Sequence, residues 1–263
     1  VSDAAPILKL RGISKSFGSV RALTDVDFEV RNGEVMALVG DNGAGKSTLI
    51  QCIAGIHPID RGEIFFEGKR VHIRGPKDAA ELGIEIVYQD LALADNLDVV
   101  QNMYLGREEH DWLQRLNETT MERRTAETMK TLAVTTIDSI RQPVARLSGG
   151  QRQSVAVARA VMWNSKVVIL DEPTAALGVA QTRQVLELVK RLADQGLAVV
   201  IISHNLPDVF EVATRITVLR LGRNVVVFER GKTTQDEVVR AITLGAPVKR
   251  AAGEDTDEDF PTW

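Results

Sequence analysis

The sequence has a single cysteine, Cys52, in 263 residues. One thiol forms no internal disulfide and offers no metal-site spacing, which excludes a disulfide scaffold or a paired-cysteine zinc site and predicts a reducing, cytoplasmic setting. No apolar run approaches the ~20 residues of a membrane helix. The segment Val1 to Pro6 has neither the basic nor the apolar region of a secretory signal. A chain that is itself soluble is expected. Positive charge is not in excess either: 32 Lys and Arg stand against 36 Asp and Glu, a net charge of -4. There is thus no global electrostatic case for nucleic acid or an anionic membrane. Glu254, Asp255, Asp257, Glu258 and Asp259 crowd the last ten residues, and without them the net charge becomes +1. Internal repeats are missing, as is low complexity outside that tail.

The composition, 44% hydrophobic and 26% charged, suffices for a sizeable core and excludes a disordered chain. At roughly 150 residues per domain, the length fits one large domain or one with a substantial insertion.

The first ninety residues read as short strands broken by Gly12, Gly18 and Gly33, with alternation in Ile7 to Leu10 and at Val26, Phe28 and Val30. Val35-Met36-Ala37-Leu38-Val39 is continuously apolar, as in a strand buried on both faces. A helix to about Gly55 and strands near Ile64 to Phe66 and Ile84 to Tyr88 follow. From Leu97 to about Leu132 the pattern is helical and rich in Glu, Arg, Met, Thr and Gln, with almost no strand signal. A second buried strand, Val167 to Leu170, begins a strand and helix alternation: helix near Gln181 to Asp194, strand Ala198 to Ile202, helix near Pro207 to Ala213. An α/β fold with an inserted helical block is predicted.

Gly40-x-x-x-x-Gly45-Lys46-Ser47 follows the first buried strand and precedes a helix, the context that the P-loop pattern requires. Glycines let the backbone curl around a phosphate and present its N–H groups at a helix N-terminus. Lys46 would contact the β- and γ-phosphates and Ser47 would ligate Mg2+. A carboxylate for that ion belongs at the end of a neighbouring buried strand, and Val167 to Leu170 runs into Asp171-Glu172. Asp171 suits the Mg2+ side; Glu172 can reach a water attacking the γ-phosphate.

Leu147-Ser148-Gly149-Gly150-Gln151 precedes a helical stretch, Arg152 to Trp163, for which Ser148 is a sensible N-cap. Standing 102 residues after the P-loop and twenty before the Asp171-Glu172 strand, it is similar to the signature of ATP-binding cassette (ABC) proteins. The chain resembles their ATPase subunit along essentially its full length.

That resemblance implies a RecA-like P-loop NTPase core with an antiparallel β subdomain and an inserted helical subdomain. In one ABC ATPase domain, residues 1–89 and 164–251 would form the core with its β subdomain, 90–163 the helical block with the signature, and 252–263 an acidic tail. ATP would lie on Gly40, Asp41, Asn42, Gly43, Ala44, Gly45, Lys46, Ser47 and Thr48. Gln89, in Val87-Tyr88-Gln89-Asp90, matches the position that contacts Mg2+ or the attacking water. His204, in Ile201-Ile202-Ser203-His204, matches the switch histidine near the γ-phosphate. Phe17, in Lys15-Ser16-Phe17-Gly18, matches the aromatic that stacks on adenine. The resemblance further implies a head-to-tail pair, most simply a homodimer, in which Ser148, Gly149, Gly150 and Gln151 of one cassette close over the ATP held by the other. One departure is Ala175-Ala176-Leu177-Gly178, where the family usually has an aspartate at the last position.

Asp41 in the P-loop, Gln89-Asp90-Leu91-Ala92-Leu93, and the Ala-Ala-Leu-Gly stretch before Val179-Ala180-Gln181-Thr182 resemble the cassettes of monosaccharide importers of ribose, xylose and fructose type. The expected partners are transmembrane permease subunits and, indirectly, an extracytoplasmic solute-binding protein, with the chain at the cytoplasmic face of the membrane and no nucleic acid bound. The rival is a soluble ABC clamp acting on ribosomes or DNA. Such proteins usually carry two cassettes or a long coiled-coil insertion with sustained heptads, and neither is visible. An ordinary P-loop kinase predicts no Leu-Ser-Gly-Gly-Gln.

Overall fold

A computed structural model describes residues 5–245. The acidic cluster at 254–259 and the expected tail at 252–263 lie outside them. The described residues form two sheets with helices between and around them. A four-stranded antiparallel sheet has the order β2-β1-β4-β5, from β1 (Leu8–Phe17), β2 (Val20–Val30), β4 (Arg61–Phe66) and β5 (Lys69–Val71). A six-stranded sheet has the order β10-β9-β3-β8-β7-β6, from β3 (Val35–Val39), β6 (Ile84–Val87), β7 (Val167–Asp171), β8 (Ala198–Ile202), β9 (Arg215–Arg220) and β10 (Arg223–Glu229). It is parallel except for β10, which pairs antiparallel with β9.

The continuous apolar runs are explained by two cores. Val35, Ala37, Val39, Val168, Leu170, Val199 and Ile201 face one core. Met36, Leu38, Val167, Ile169, Ala198, Val200 and Ile202, the alternate residues of the same strands, face the other. With both faces covered, a strand has no polar side to alternate with. The second core is closed by α1 (Lys46–Ile53), through Leu49, Ile50, Cys52 and Ile53, and by the four-stranded sheet. The first is closed by α5 (Gly149–Val161) and α6 (Val179–Asp194), whose Val185, Val189 and Leu192 are buried on one face as their spacing predicts.

Three expectations need correction. Gly12 does not end a strand; it sits inside β1 at a register shift, its N–H donating to Asp27 Oδ1 at 2.8 Å. The helical stretch from Leu97 to Leu132 is two helices, α3 (Val99–Tyr104) and α4 (Glu118–Thr131). Between them Asp111 Oδ1 accepts the N–H groups of Leu113 and Arg115 at 2.8 and 2.9 Å, drawing backbone donors into a turn. Asp98 and Asn117 cap the two helices through the N–H groups of Gln101 and Thr120. The helix expected over Arg152 to Trp163 starts three residues earlier, at Gly149.

Elements without a strong sequence pattern are the short helix α2 (Pro76–Leu82), β5, and, beyond α7 (Leu206–Val212), β9, β10 and α8 (Gln235–Leu244). The β9–β10 hairpin turns on Leu221 and Gly222, at φ 47° and 73°, the left-handed pair of a two-residue loop.

Candidate functional site

The site lies at the C-terminal ends of β3, β7 and β8, where the parallel strands release their loops into one cleft. Two motif glycines are required by the space around them. A Cβ on Gly40 would lie 2.2 Å from the Leu219 carbonyl oxygen, and one on Gly45, at φ 101°, would lie 2.8 Å from the Ala22 carbonyl oxygen and the Leu23 side chain. A larger residue at either position would push the loop off β9 or β2. Asp41, Asn42, Gly43 and Ser47 remain exposed, leaving the loop's concave side open at the start of α1, where amide donors and the helix dipole favour an anion.

Lys46 is buried and turned back on the loop, its Nζ donating to the carbonyl oxygens of Gly40 at 2.6 Å and Asp41 at 3.0 Å. Burial lowers its pKa, against the opposing pull of Glu172, Asp171 and Asp41. An ammonium held by neutral carbonyls among three carboxylates has donors to offer an incoming anion.

Asp171 ends β7. Burial, then the adjacent Glu172, raises its pKa, with Lys46 opposing. Tyr88, next to Gln89, is raised by burial and then by the charge of Asp171, which places the end of β6 beside the same carboxylate. Glu172 has φ 50°, a left-handed conformation that a residue with a Cβ adopts at a cost. Its N–H donates to the Ile202 carbonyl at 2.9 Å, and its Oε2 lies 2.9 Å from His204 Nδ1. The loop after it is held by a buried bond, Thr174 Oγ1 donating to Asp208 Oδ2 at 2.7 Å.

A cleft of about 540 Å3 gathers Gly40, Asp41, Asn42, Gln89, Glu172, Ser203 and His204. The other predicted residues stand outside its lining. Phe17 closes β1 and is 43% exposed, so it is not a core residue; its ring meets His57 edge-on at 4.9 Å and Lys15 Nζ lies 5.4 Å from its centroid. Ser148 caps α5: its Oγ accepts the Gln151 N–H at 3.3 Å, while Gln151 Oε1 accepts the Ser148 N–H at 2.8 Å. Gly149 is exposed and Gly150 buried, yet a Cβ on Gly149 would lie 2.9 Å from the Leu177 side chain and one on Gly150 3.0 Å from Gln181 of α6. Both signature glycines thus serve close packing against the segment from Leu177 to Gln181.

Mg2+ fits the donors present. The Ser47 hydroxyl, the Gln89 amide and the Asp171 carboxylate are the hard oxygen ligands it takes. The raised Asp171 marks a carboxylate that a cation would relieve. Among the described residues no cluster of three His, Cys, Asp or Glu side chains could hold a metal alone, so phosphate oxygens would have to supply the remaining ligands.

Sequence reasoning missed the wall of the same cleft formed by Leu206, Val239, Ile242 and Thr243. It also missed Thr174 and Asp208. None carries a motif: α8 enters the cleft through tertiary packing, and the Thr174–Asp208 pair spans 34 positions.

A family model described as "ABC transporter" matches residues 23–175, more than half of the chain. The chain is 48% identical over 244 residues to a fructose import ATP-binding protein of Rhizobium meliloti, covering 90% of this chain and 94% of that one. It is 46% identical over 248 residues to a xylose/arabinose import ATP-binding protein of Sulfolobus acidocaldarius, covering 94% and 98%. Identity to a ribose import ATP-binding protein of Streptomyces coelicolor is 40% over 260 residues, and this chain spans 49% of that longer protein. Among solved structures, a nucleotide-free ATP-binding cassette from an ABC transporter superposes with a TM-score of 0.77 at 26% identity, covering 92% of this chain and 96% of that one. The ADP conformation of another such cassette gives 0.78 at 25%, covering 91% and 96%.

Proposed function

Because the chain belongs to the ABC transporter ATPase family, we propose that it hydrolyses ATP to power monosaccharide uptake through separate membrane subunits. The observation that carries the reading is the cleft in which the P-loop, Gln89, Glu172 and His204 converge, with His204 Nδ1 2.9 Å from Glu172 Oε2. The sugar class rests on the fructose and xylose/arabinose import relatives, which this chain matches over nearly their whole length.

The chain's residues divide the work. Loop amides and the α1 N-terminus bind the phosphates, and Lys46 exchanges its bonds to the Gly40 and Asp41 carbonyls for phosphate oxygens. Phe17 offers its exposed ring to the adenine, a contact worth about 1–3 kcal/mol in base stacking elsewhere. Ser47, Asp171 and Gln89 would hold Mg2+, which when bound neutralises charge on the β- and γ-phosphate oxygens. Glu172 polarises the attacking water as general base; His204 orients its carboxylate, and the bond from the Glu172 amide to Ile202 fixes its backbone. Leu206, Val239 and Ile242 add apolar surface to the same cleft.

Residues 90–163 serve as the helical block and the flanking segments as the core, within one ABC ATPase domain. In the working pair, Ser148, Gly149, Gly150 and Gln151 of one copy close over the nucleotide of the other. The membrane subunits dock near Gln89 and the helical block, placing the chain at the cytoplasmic face of the membrane. No helix among the described residues is long and apolar enough to cross a membrane.

The test is affinity purification of the tagged chain from its own cells after gentle solubilisation. A polytopic membrane protein should co-purify, and the chain's ATPase should rise when sugar-loaded binding protein is added. Co-purification with RNA or DNA and no membrane protein would favour the soluble clamp.

A further inference from the structure

Arg159 lies on α5 ten residues, about 15 Å of helix, beyond Gly149. Its guanidinium forks onto two successive carbonyls, Nη2 donating to Leu91 at 2.9 Å and Nη1 to Ala92 at 2.9 Å. These carbonyls stand two and three residues after Gln89. Among the described residues no carboxylate lies within ion-pair distance of Arg159, and Glu85, which acts on it through space, is bonded to Arg107 at 3.1 Å. Burial accordingly lowers its pKa.

A partly buried cation satisfied only by neutral carbonyls is a poor stabilising device. It is a good positioning device. The planar fork fixes both carbonyl directions at once, and it does so where the loop is strained, Ala92 having φ 49°. Farther along the loop, Asp95 and Leu97 are held to the segment before α5 by main-chain bonds from Ala145 at 3.0 Å and Val144 at 2.9 Å and by the exposed ion pair of Arg152 with Asp95 at 3.1 Å; the Arg159 fork is what holds Leu91 and Ala92, the part of the loop nearest Gln89. Between Arg159 and the signature residues, α5 is a continuous helix whose Gln153, Ser154, Val155, Ala156, Val157 and Ala158 are buried, so it moves as a rod.

We propose that Arg159 is a positioning residue that couples the Gln89 loop to the signature helix within one chain: displacement of Gln89 on nucleotide binding is carried through the Leu91 and Ala92 carbonyls to Arg159, and along α5 to Ser148, Gly149 and Gly150. The inference rests on the nucleotide reading of the cleft. It adds a named residue, its two bonds and a direction of transmission.

The test is hydrogen exchange of the full chain with and without Mg-ATP, in the Glu172→Gln background so that the nucleotide stays intact and at a dilution where light scattering shows single copies, so that no partner covers the signature, followed in peptides covering 40–48, 88–98 and 145–161. The parent should respond to ATP in all three. Arg159→Met keeps the apolar stem and removes the fork; it should retain the responses at 40–48 and 88–98 and lose that at 145–161. Arg159→Lys keeps the charge without the fork and should lose it as well, which carries the test if the methionine variant does not fold. A role in folding alone would leave the ATP-dependent difference intact, so an undiminished response at 145–161 in either variant overturns the coupling. A parent that responds at 40–48 but not at 145–161 also overturns it. A parent with no response at 40–48 overturns the nucleotide reading itself.

Discussion

Thr174→Val tests whether the loop carrying Glu172 is held by its buried bond to Asp208. Thr174 and Asp208 are 8% and 7% exposed, and the bond is 2.7 Å. Valine nearly reproduces the shape of threonine, so no cavity term enters. What is lost is a hydrogen bond to an ionised group, worth about 1.5–3 kcal/mol, and a buried carboxylate oxygen is left without that donor. The unfolding equilibrium should shift by roughly 10- to 100-fold, at about 1.4 kcal/mol per decade. Urea denaturation should show a lower midpoint at unchanged slope. Because Glu172 sits two residues away at φ 50°, a loosened loop should also lower kcat more than it raises KM for ATP. Asp208→Asn keeps an acceptor for the Thr174 hydroxyl and should cost less than Thr174→Val, and the double variant should cost less than the sum of the two. A Thr174→Val protein within about 0.5 kcal/mol of wild type, the spread of ordinary surface substitutions, with unchanged kcat, would refute the reasoning.

Two further outcomes follow from the geometry. Gly40→Ala would set its Cβ 2.2 Å from the Leu219 carbonyl oxygen, so thermal denaturation should show a loss of about 1–3 kcal/mol, the scale of overpacking, and titration should show weakened ATP binding. Asp171 has a raised pKa in the folded protein, so the folded state holds that proton more tightly than the unfolded chain; its stability contribution is present below the ordinary carboxylate range and lost as pH rises through the raised value. Asp171→Asn should therefore raise the Tm of the nucleotide-free protein at pH 7, lose that gain at acid pH, and abolish hydrolysis; a lower Tm at pH 7 would contradict the sign.

Much of the candidate site is legible in the sequence because its residues follow directly on buried strands. Val35 to Val39, Val167 to Leu170 and Ala198 to Ile202 announce themselves by unbroken apolar runs, and the structure covers both faces of each. Lys46, Asp171, Glu172 and His204 come within a few residues of those strand ends, so local pattern and site location coincide. The α8 wall, Asp208 and Arg159 do not announce themselves. Their roles arise from contacts across long stretches of chain: 34 positions for Thr174 to Asp208, and 67 and 68 for Arg159 to its two carbonyls. The loop between α3 and α4 reads as helix because Glu, Gln and Arg favour helices, whereas Asp111 draws backbone donors into a turn.

The central claim, that Glu172 activates the water that attacks ATP bound at Lys46, is tested most directly by measuring phosphate release and ATP retention for the wild-type chain and Glu172→Gln side by side. The account predicts a fall in turnover of about 10²–10⁴, the usual loss with a general base, with ATP still bound. Near-normal phosphate release from Glu172→Gln would contradict it.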